Sequence, residues 1–279
     1  MPQVAVITGG AGGMGLATAH ILGQTHVVLV SDVRADRLDE AVGSLRSQEI
    51  ECIAMSCDVS DPGSVRSLAD RAAELGQVTA VVHTAGLSPQ MGSATDILRV
   101  NAVGTVNVTE AFLPVAAEGF GLVNVASSAG HLAGPKPTRT FRSADVDPSR
   151  LVERLHRLCR PLPHKLQPGL AYALSKSFVI WYSAHRAADF GGRGARIVSV
   201  SPGSFDTEMG RLERDSGAGE LANRSALGRF GRVEEIAEVL AFCAGDRAGY
   251  LTGVDVLVDG GAKAKMTVRD SIAMARKSM

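Results

Sequence analysis

The chain has no surplus of either charge: 29 Lys and Arg stand against 29 Asp and Glu in 279 residues. Without a net field, attraction to nucleic acid or to an anionic lipid surface is excluded as its main business. Cysteine is scarce. The four present, Cys52, Cys57, Cys159 and Cys243, form no CxxC pair, so neither a disulfide framework nor a structural zinc site is expected. The seven histidines are scattered without HExxH or similar spacing, and no metal is expected. No apolar run approaches the roughly 20 residues of a membrane span, and Met1 leads almost directly into strand-like sequence without a leader pattern. The expectation is a cytoplasmic protein with neither nucleic acid nor membrane as partner. Hydrophobic residues, at 45%, are ample for a buried core.

Short runs rich in Val and Ile recur at Val4 to Thr8, His26 to Asp32, Glu51 to Cys57, Val78 to Thr84, Gly121 to Ser127, Ala195 to Ser201 and Asp255 to Val258. They are nearly continuous and do not alternate, as strands of a parallel sheet read when helices cover both faces. Between them, Leu16 to Leu22, Arg37 to Leu45, Val65 to Leu75, Ile97 to Ala117, Tyr172 to Asp189 and Glu234 to Cys243 carry helical periodicity. The expected fold is α/β, a single-domain Rossmann-like, doubly wound sheet of seven parallel strands. Its site should lie at the loops of the C-terminal edge.

Directly after the first strand comes Thr8-Gly9-Gly10-Ala11-Gly12-Gly13-Met14-Gly15, opening into a helix. Such a turn brings backbone N–H groups to a pyrophosphate where the helix dipole is positive. Two registers fit: Gly10-x-Gly12-x-x-Gly15, or Gly9 followed by Gly13-x-Gly15. Asp32 ends the second strand, close to the roughly 20-residue spacing at which a carboxylate reaches a ribose 2′-hydroxyl. It would repel the extra phosphate of NADP, so NAD is the expected cofactor. Arg34 stands against this preference, and the plain alternative for Asp32 is a helix cap or loop acid.

Tyr172 and Lys176 are one turn apart on a single helix face. The strand before that helix ends in Asn124-Val125-Ala126-Ser127-Ser128-Ala129-Gly130, which delivers hydroxyls to the same edge. A phenol, with a reference pKa of about 10, is a poor base near neutrality unless its anion is stabilised. The Lys176 ammonium, helped by a positive nicotinamide ring, would do so, while Ser127 holds the substrate oxygen. Ser128 is the alternative to Ser127.

In these motifs the chain resembles the short-chain dehydrogenase/reductase family over about Val4 to Gly261. The glycine turn resembles TGxxxGxG, which favours the second register. Cys57-Asp58-Val59 resembles the adenine-contacting step, Arg99-Val100-Asn101 the site of an active-site asparagine that supports the lysine through water, and Pro202-Gly203-Ser204-Phe205-Asp206-Thr207 the PGxxxT loop at the nicotinamide. The resemblance implies Asn101, Ser127, Tyr172 and Lys176 as the catalytic set. Along the cofactor it implies Gly9, Gly13, Met14, Gly15, Asp32, Val33, Asp58, Val59, Ala85, Gly86, Tyr172, Lys176, Phe205 and Thr207. It also implies a homo-oligomer, a dimer or tetramer, with the Asn101 helix, the Tyr172 helix and the last strand at the interfaces. Where the family often has Asn-Asn-Ala-Gly, this chain has His83-Thr84-Ala85-Gly86, which puts the stabilisation of the central strand in doubt.

The path from Ser127 to Tyr172 is much longer than the family's usual loop. Residues 134–168 form an insertion rich in proline, with eight basic and three acidic side chains. Ser149 could cap a helix whose stripe is Leu151, Val152, Leu155 and Leu158. A lid offering that face to a bulky substrate is one expectation, and a solvated or subunit-contacting helix is the other. The domain is expected over 1–261, followed by a tail over 262–279. The expected activity is NAD-dependent interconversion of a secondary alcohol and a ketone on a small molecule, with a steroid-like or alicyclic alcohol the first choice. The alternatives are a 3-oxoacyl-thioester reductase, or a dinucleotide-binding regulator without turnover.

Overall fold

A computed structural model describes residues 1–132, 136–145, 147–213, 222–223 and 225–265. Seven parallel strands form one sheet: β1 (Gln3–Thr8), β2 (Val27–Asp32), β3 (Cys52–Ser56), β4 (Gln77–His83), β5 (Gly121–Val125), β6 (Arg196–Pro202) and β7 (Asp255–Val258). Their order is β3-β2-β1-β4-β5-β6-β7, so the winding reverses between β1 and β4. A crevice opens there at the carboxyl ends. The central strands are legible as apolar runs because they are buried on both faces: Val4 to Ile7 are all 0% exposed.

Helices α1 (Gly13–Leu22), α2 (Ala35–Arg46) and α3 (Pro62–Leu75) cross over between the first strands. The segment expected as a helix over Ile97 to Ala117 starts earlier and stops sooner. It is α4 (Ala94–Leu98), a π-helical turn (Arg99–Val103) and α5 (Gly104–Phe112). A reciprocal capping box between Ser93 and Asp96 sets the start. Pro114 sets the end: Leu113 before it keeps helical dihedrals (φ −58°, ψ −42°), but the proline has no N–H to make the next helical hydrogen bond.

The described residues of the insertion, 136–145 and 147–168, are largely helical and folded onto the domain. α6 (Thr138–Phe141) and α7 (Pro148–Cys159) precede α8 (Gln167–His185), which carries Tyr172 and Lys176. Asp147, not Ser149, caps α7: its carboxylate accepts the Ser149 amide at 2.9 Å. Pro148 occupies the first turn, where its missing N–H costs nothing. Leu151, Leu155 and Cys159 are 0% exposed and pack with Ile97 and Leu98 of α4 and with Ala171, Phe178 and Tyr182 of α8. Leu158 points outward at 43% exposure. The apolar face expected to meet a bulky substrate is thus spent on the chain's own helices.

Further along the chain come α9 (Ala187–Gly191), α10 (Glu208–Leu212), α11 (Val233–Ala244) and α12 (Ala262–Lys265). The expected tail beyond residue 265 lies outside the described residues. No helix among them is long and apolar enough to cross a membrane.

Candidate active site

The site is built at the switch between β1 and β4. In the turn after β1, Gly9 (φ 67°) and Gly13 (φ 51°) take left-handed conformations that favour glycine. A Cβ on Gly9 would lie 2.7 Å from the Ala85 nitrogen, and one on Gly15 would lie 2.4 Å from the Gly9 carbonyl. A Cβ on Gly12 would meet nothing. A Cβ on Gly10 would also lie 2.9 Å from the Ile7 carbonyl, so crowding marks Gly9, Gly10 and Gly15, and it is the left-handed φ of Gly9 and Gly13, with open space at Gly12, that favours the Gly9, Gly13, Gly15 register. Gly12 is the N-cap of α1, so no side chain occupies the first amides of Gly13, Met14 and Gly15, and no acid lies in the first turn. Thr207 stands across the gap, its methyl 3.7 Å from where a Gly13 Cβ would be. Uncapped amides at the positive end of a helix fit an anionic pyrophosphate.

Asp32 is the last residue of β2 and accepts the Arg34 amide at 3.1 Å, while Val33 beside it is exposed. The Arg34 guanidinium is paired with Asp36 at 2.9 Å, and that of Arg37 with Glu208 at 2.6 Å. Asp58 accepts the Ser60 amide at 2.8 Å, and the carbonyl of buried Val59 accepts Asn107 Nδ2 at 2.9 Å. Ala85 and Gly86 follow β4; a Cβ on Gly86 would lie 3.1 Å from Asn101 Oδ1 and 3.4 Å from Lys176 Nζ. Phe205 is buried, and Thr207 caps α10 by accepting the Gly210 amide at 2.9 Å.

Ser127 follows β5 and caps a 3₁₀ turn (Ser128–His131), accepting the Ala129 amide at 3.2 Å. Its side chain is near enough to the Tyr172 phenol to favour the phenolate. Ser128 lines a cavity of about 200 Å³ with Phe205, Leu227, Val258 and Lys263. Lys176 is buried, donates to the Val125 carbonyl at 2.8 Å, and lies 5.9 Å from the centre of the Tyr172 ring. Burial lowers its pKa to about 8. Tyr172, half-buried at the mouth, is pushed up by burial and pulled back by Ser127, and the charge of Glu213 adds to the rise. The chain by itself therefore does not bring the phenol down toward neutrality; the expected lowering called on Lys176 together with a positive nicotinamide ring. Burial is the larger effect.

Asn101 sits in the π-helical turn, a local widening that often marks functional positions. Its amide is fully engaged with its surroundings: Oδ1 accepts the Leu87 amide at 2.8 Å, and Nδ2 donates to the Leu87 carbonyl at 2.9 Å and to Ser175 Oγ at 3.2 Å. His83 takes over the stabilising role that the departure put in doubt, with Nδ1 2.7 Å from Thr8 Oγ1 across β4 and β1. Burial, followed by the nearby Lys176 charge, lowers its pKa to about 3.

Two groups in the site follow from no spacing in the sequence. Glu213 reaches the loop after β4. His131, on the turn after Ser127, bonds Asp255 of β7 at 2.8 Å, and Asp255 accepts Ser199 and Ser201 at 2.6 and 2.9 Å. Each joins residues far apart in the chain, and only the tertiary fold brings them together. The described residues hold no cluster of His, Cys, Asp or Glu able to bind a metal.

An anion cradle beside converging Ser, Tyr and Lys side chains, at the carboxyl edge of a doubly wound sheet, defines a nicotinamide-dependent oxidoreductase. The family described as short chain dehydrogenase matches residues 3–138, and that described as Enoyl-(Acyl carrier protein) reductase matches residues 164–263. Short-chain dehydrogenase/reductase bsc3 of Alternaria brassicicola is 34% identical over 96% of this chain and 98% of its own. The 4-formylbenzenesulfonate dehydrogenase TsaC1/TsaC2 of Comamonas testosteroni is 32% identical, over 93% of this chain and 97% of its own. A short chain dehydrogenase from Burkholderia cenocepacia, solved with NADP, superposes with a TM-score of 0.73 at 26% identity, over 93% of this chain and 97% of that one. The chain belongs to the short-chain dehydrogenase/reductase family.

Proposed function

We propose that the chain interconverts a secondary alcohol and a ketone with NAD, using Tyr172 as the group that gives or takes the hydroxyl proton. The convergence of Ser127, Tyr172 and Lys176 beside the glycine turn carries this reading. A bound nicotinamide supplies the hydride acceptor or donor for the carbinol carbon. Ser127 holds the substrate oxygen beside the phenol. In reduction, Tyr172 stays protonated at neutral pH because burial keeps its pKa high, and it donates to the forming alkoxide. Lys176, charged below about 8, favours the phenolate left behind. Asn101 is a positioning residue that holds Leu87, and with it the Ala85-Gly86 loop, against the lysine.

NAD is supported by the Asp32 carboxylate at the end of β2 and by the pairing of Arg34 and Arg37 with Asp36 and Glu208. Neither guanidinium is left to take a 2′-phosphate without breaking an ion pair. Packing of α7 removes the support for a bulky apolar substrate, so the substrate class rests on the mouth of the site.

Following reduction of a ketone panel with NADH and NADPH tests both parts. We expect kcat/KM to favour NADH by about tenfold or more, and Tyr172→Phe to lower kcat by at least about a hundredfold, the usual scale of a lost general acid. Parent-like turnover by Tyr172→Phe would overturn the mechanism, and preference for NADPH would overturn the cofactor assignment.

A further inference from the structure

Glu213 grips the loop after β4 from the mouth of the site. Its Oε1 accepts the Ser88 hydroxyl at 2.7 Å and the Gln90 amide at 3.2 Å. Ser88 is only 1% exposed, so the carboxylate is anchored on a buried group. The same loop is held from the other side by Asn101 through Leu87. At the other end of the Glu213 segment, Glu208 pairs with Arg37 of α2. The segment from Thr207 to Glu213 is thus fastened at both ends, to α2 and to the loop after β4. It fixes a negative charge close enough to be felt at the Tyr172 phenol.

Building on the reading of the site given above, we propose that Glu213 is a specificity-determining residue. It latches the segment after β6 to Ser88 and Gln90, and it holds a negative charge at the mouth. Neutral or cationic alcohols and ketones are accepted. Substrates carrying a carboxylate, sulfonate or phosphate near the reacting carbon are refused. Two like charges about 5 Å apart at an effective dielectric of about 20 repel strongly enough for a discrimination on the order of tenfold to a hundredfold once solvent screening at the mouth is allowed for. Beyond its two bonds to described residues the carboxylate has further lone pairs to offer a substrate hydroxyl or ammonium.

The test is a matched pair of probes, 4-hydroxycyclohexanecarboxylate and its primary amide, turned over by the parent, Glu213→Gln and Glu213→Ala. Gln keeps the acceptor for Ser88 and loses the charge. In Glu213→Gln the ratio of kcat/KM, carboxylate over amide, should rise by about tenfold or more. In Glu213→Ala the lost latch should raise KM for both probes. A second readout needs no turnover: the phenolate absorbance of Tyr172, taken as the difference from Tyr172→Phe in each background, should appear at lower pH in Glu213→Gln. An unchanged substrate ratio, or an unchanged phenolate titration, overturns the proposal. Failure of the oxidoreductase reading would show separately, as no nicotinamide-linked turnover of either probe by the parent, and the phenolate titration then still decides the proposal.

Discussion

His83 is a neutral imidazole held in the centre of the sheet, and its cost should be visible in acid. Its folded pKa is lowered to about 3 against an ordinary 6.5, so between these values the unfolded chain binds a proton that the folded chain refuses. Its contribution is fully present above about 6.5 and is lost progressively as pH falls toward 3. In His83→Asn, where an amide can still bond Thr8 and does not titrate, Tm should fall less steeply over that range than in the parent. Equal slopes would show that the acid limb belongs to other groups. Lys176 makes the complementary prediction for activity: with burial lowering its pKa to about 8, kcat/KM for ketone reduction should fall above that pH as the ammonium is lost. A rate flat to well beyond 8 would remove the lysine charge from the mechanism. Local spacing made some of this site legible. Tyr172 and Lys176 stand out by one helical turn, and Ser127 by following a strand that ends at the same edge, with the resemblance favouring it over Ser128. Glu213 was not legible, because its partners Ser88 and Gln90 meet it only after the sheet has formed.

At the scale of elements, the seven strands could be read because burial on both faces leaves continuous apolar runs, and α1 because a glycine turn precedes it. The helix bearing Asn101 was harder. Periodicity carries through the π-helical turn without marking it, and Pro114 ended the helix before the apolar pattern did. In the insertion the stripe was legible, but the surface it meets was not: a periodic apolar face is equally suited to a substrate or to two neighbouring helices. The packing of Leu151 and Leu155, both 0% exposed, decides for the helices. Leu155→Ala should therefore cost about 2–5 kcal/mol of stability, as buried Leu truncations do. It should leave the ratio of KM values for bulky and small ketones unchanged. A selective rise in KM for the bulky ketone, with Tm preserved, would restore the lid.

At the scale of the molecule, α7 also bears on how copies of the chain meet. The resemblance implies contacts through the Asn101 helix, the Tyr172 helix and the last strand. Ile97 and Leu98 of α4 and Phe178 and Tyr182 of α8 are already covered within one chain by Phe141, Leu151 and Leu155. A partner docking on that face would have to displace α6 and α7 and return those three side chains to water, at about 1.5–3 kcal/mol each. The end of the sheet carries no such cover among the described residues: all four residues of β7 are half-buried, and Tyr250 and Val254 before it are 105% and 43% exposed. An exposed sheet edge with apolar neighbours is a ready surface for a second copy. We expect a dimer built on β7. Light scattering should then give a monomer mass for the double substitution Tyr250→Asp and Val254→Asp, and a dimer mass for the parent and for Leu158→Glu, which charges the outer face of α7. Dissociation by Leu158→Glu, with the β7-edge variant still dimeric, would place the interface on the insertion instead.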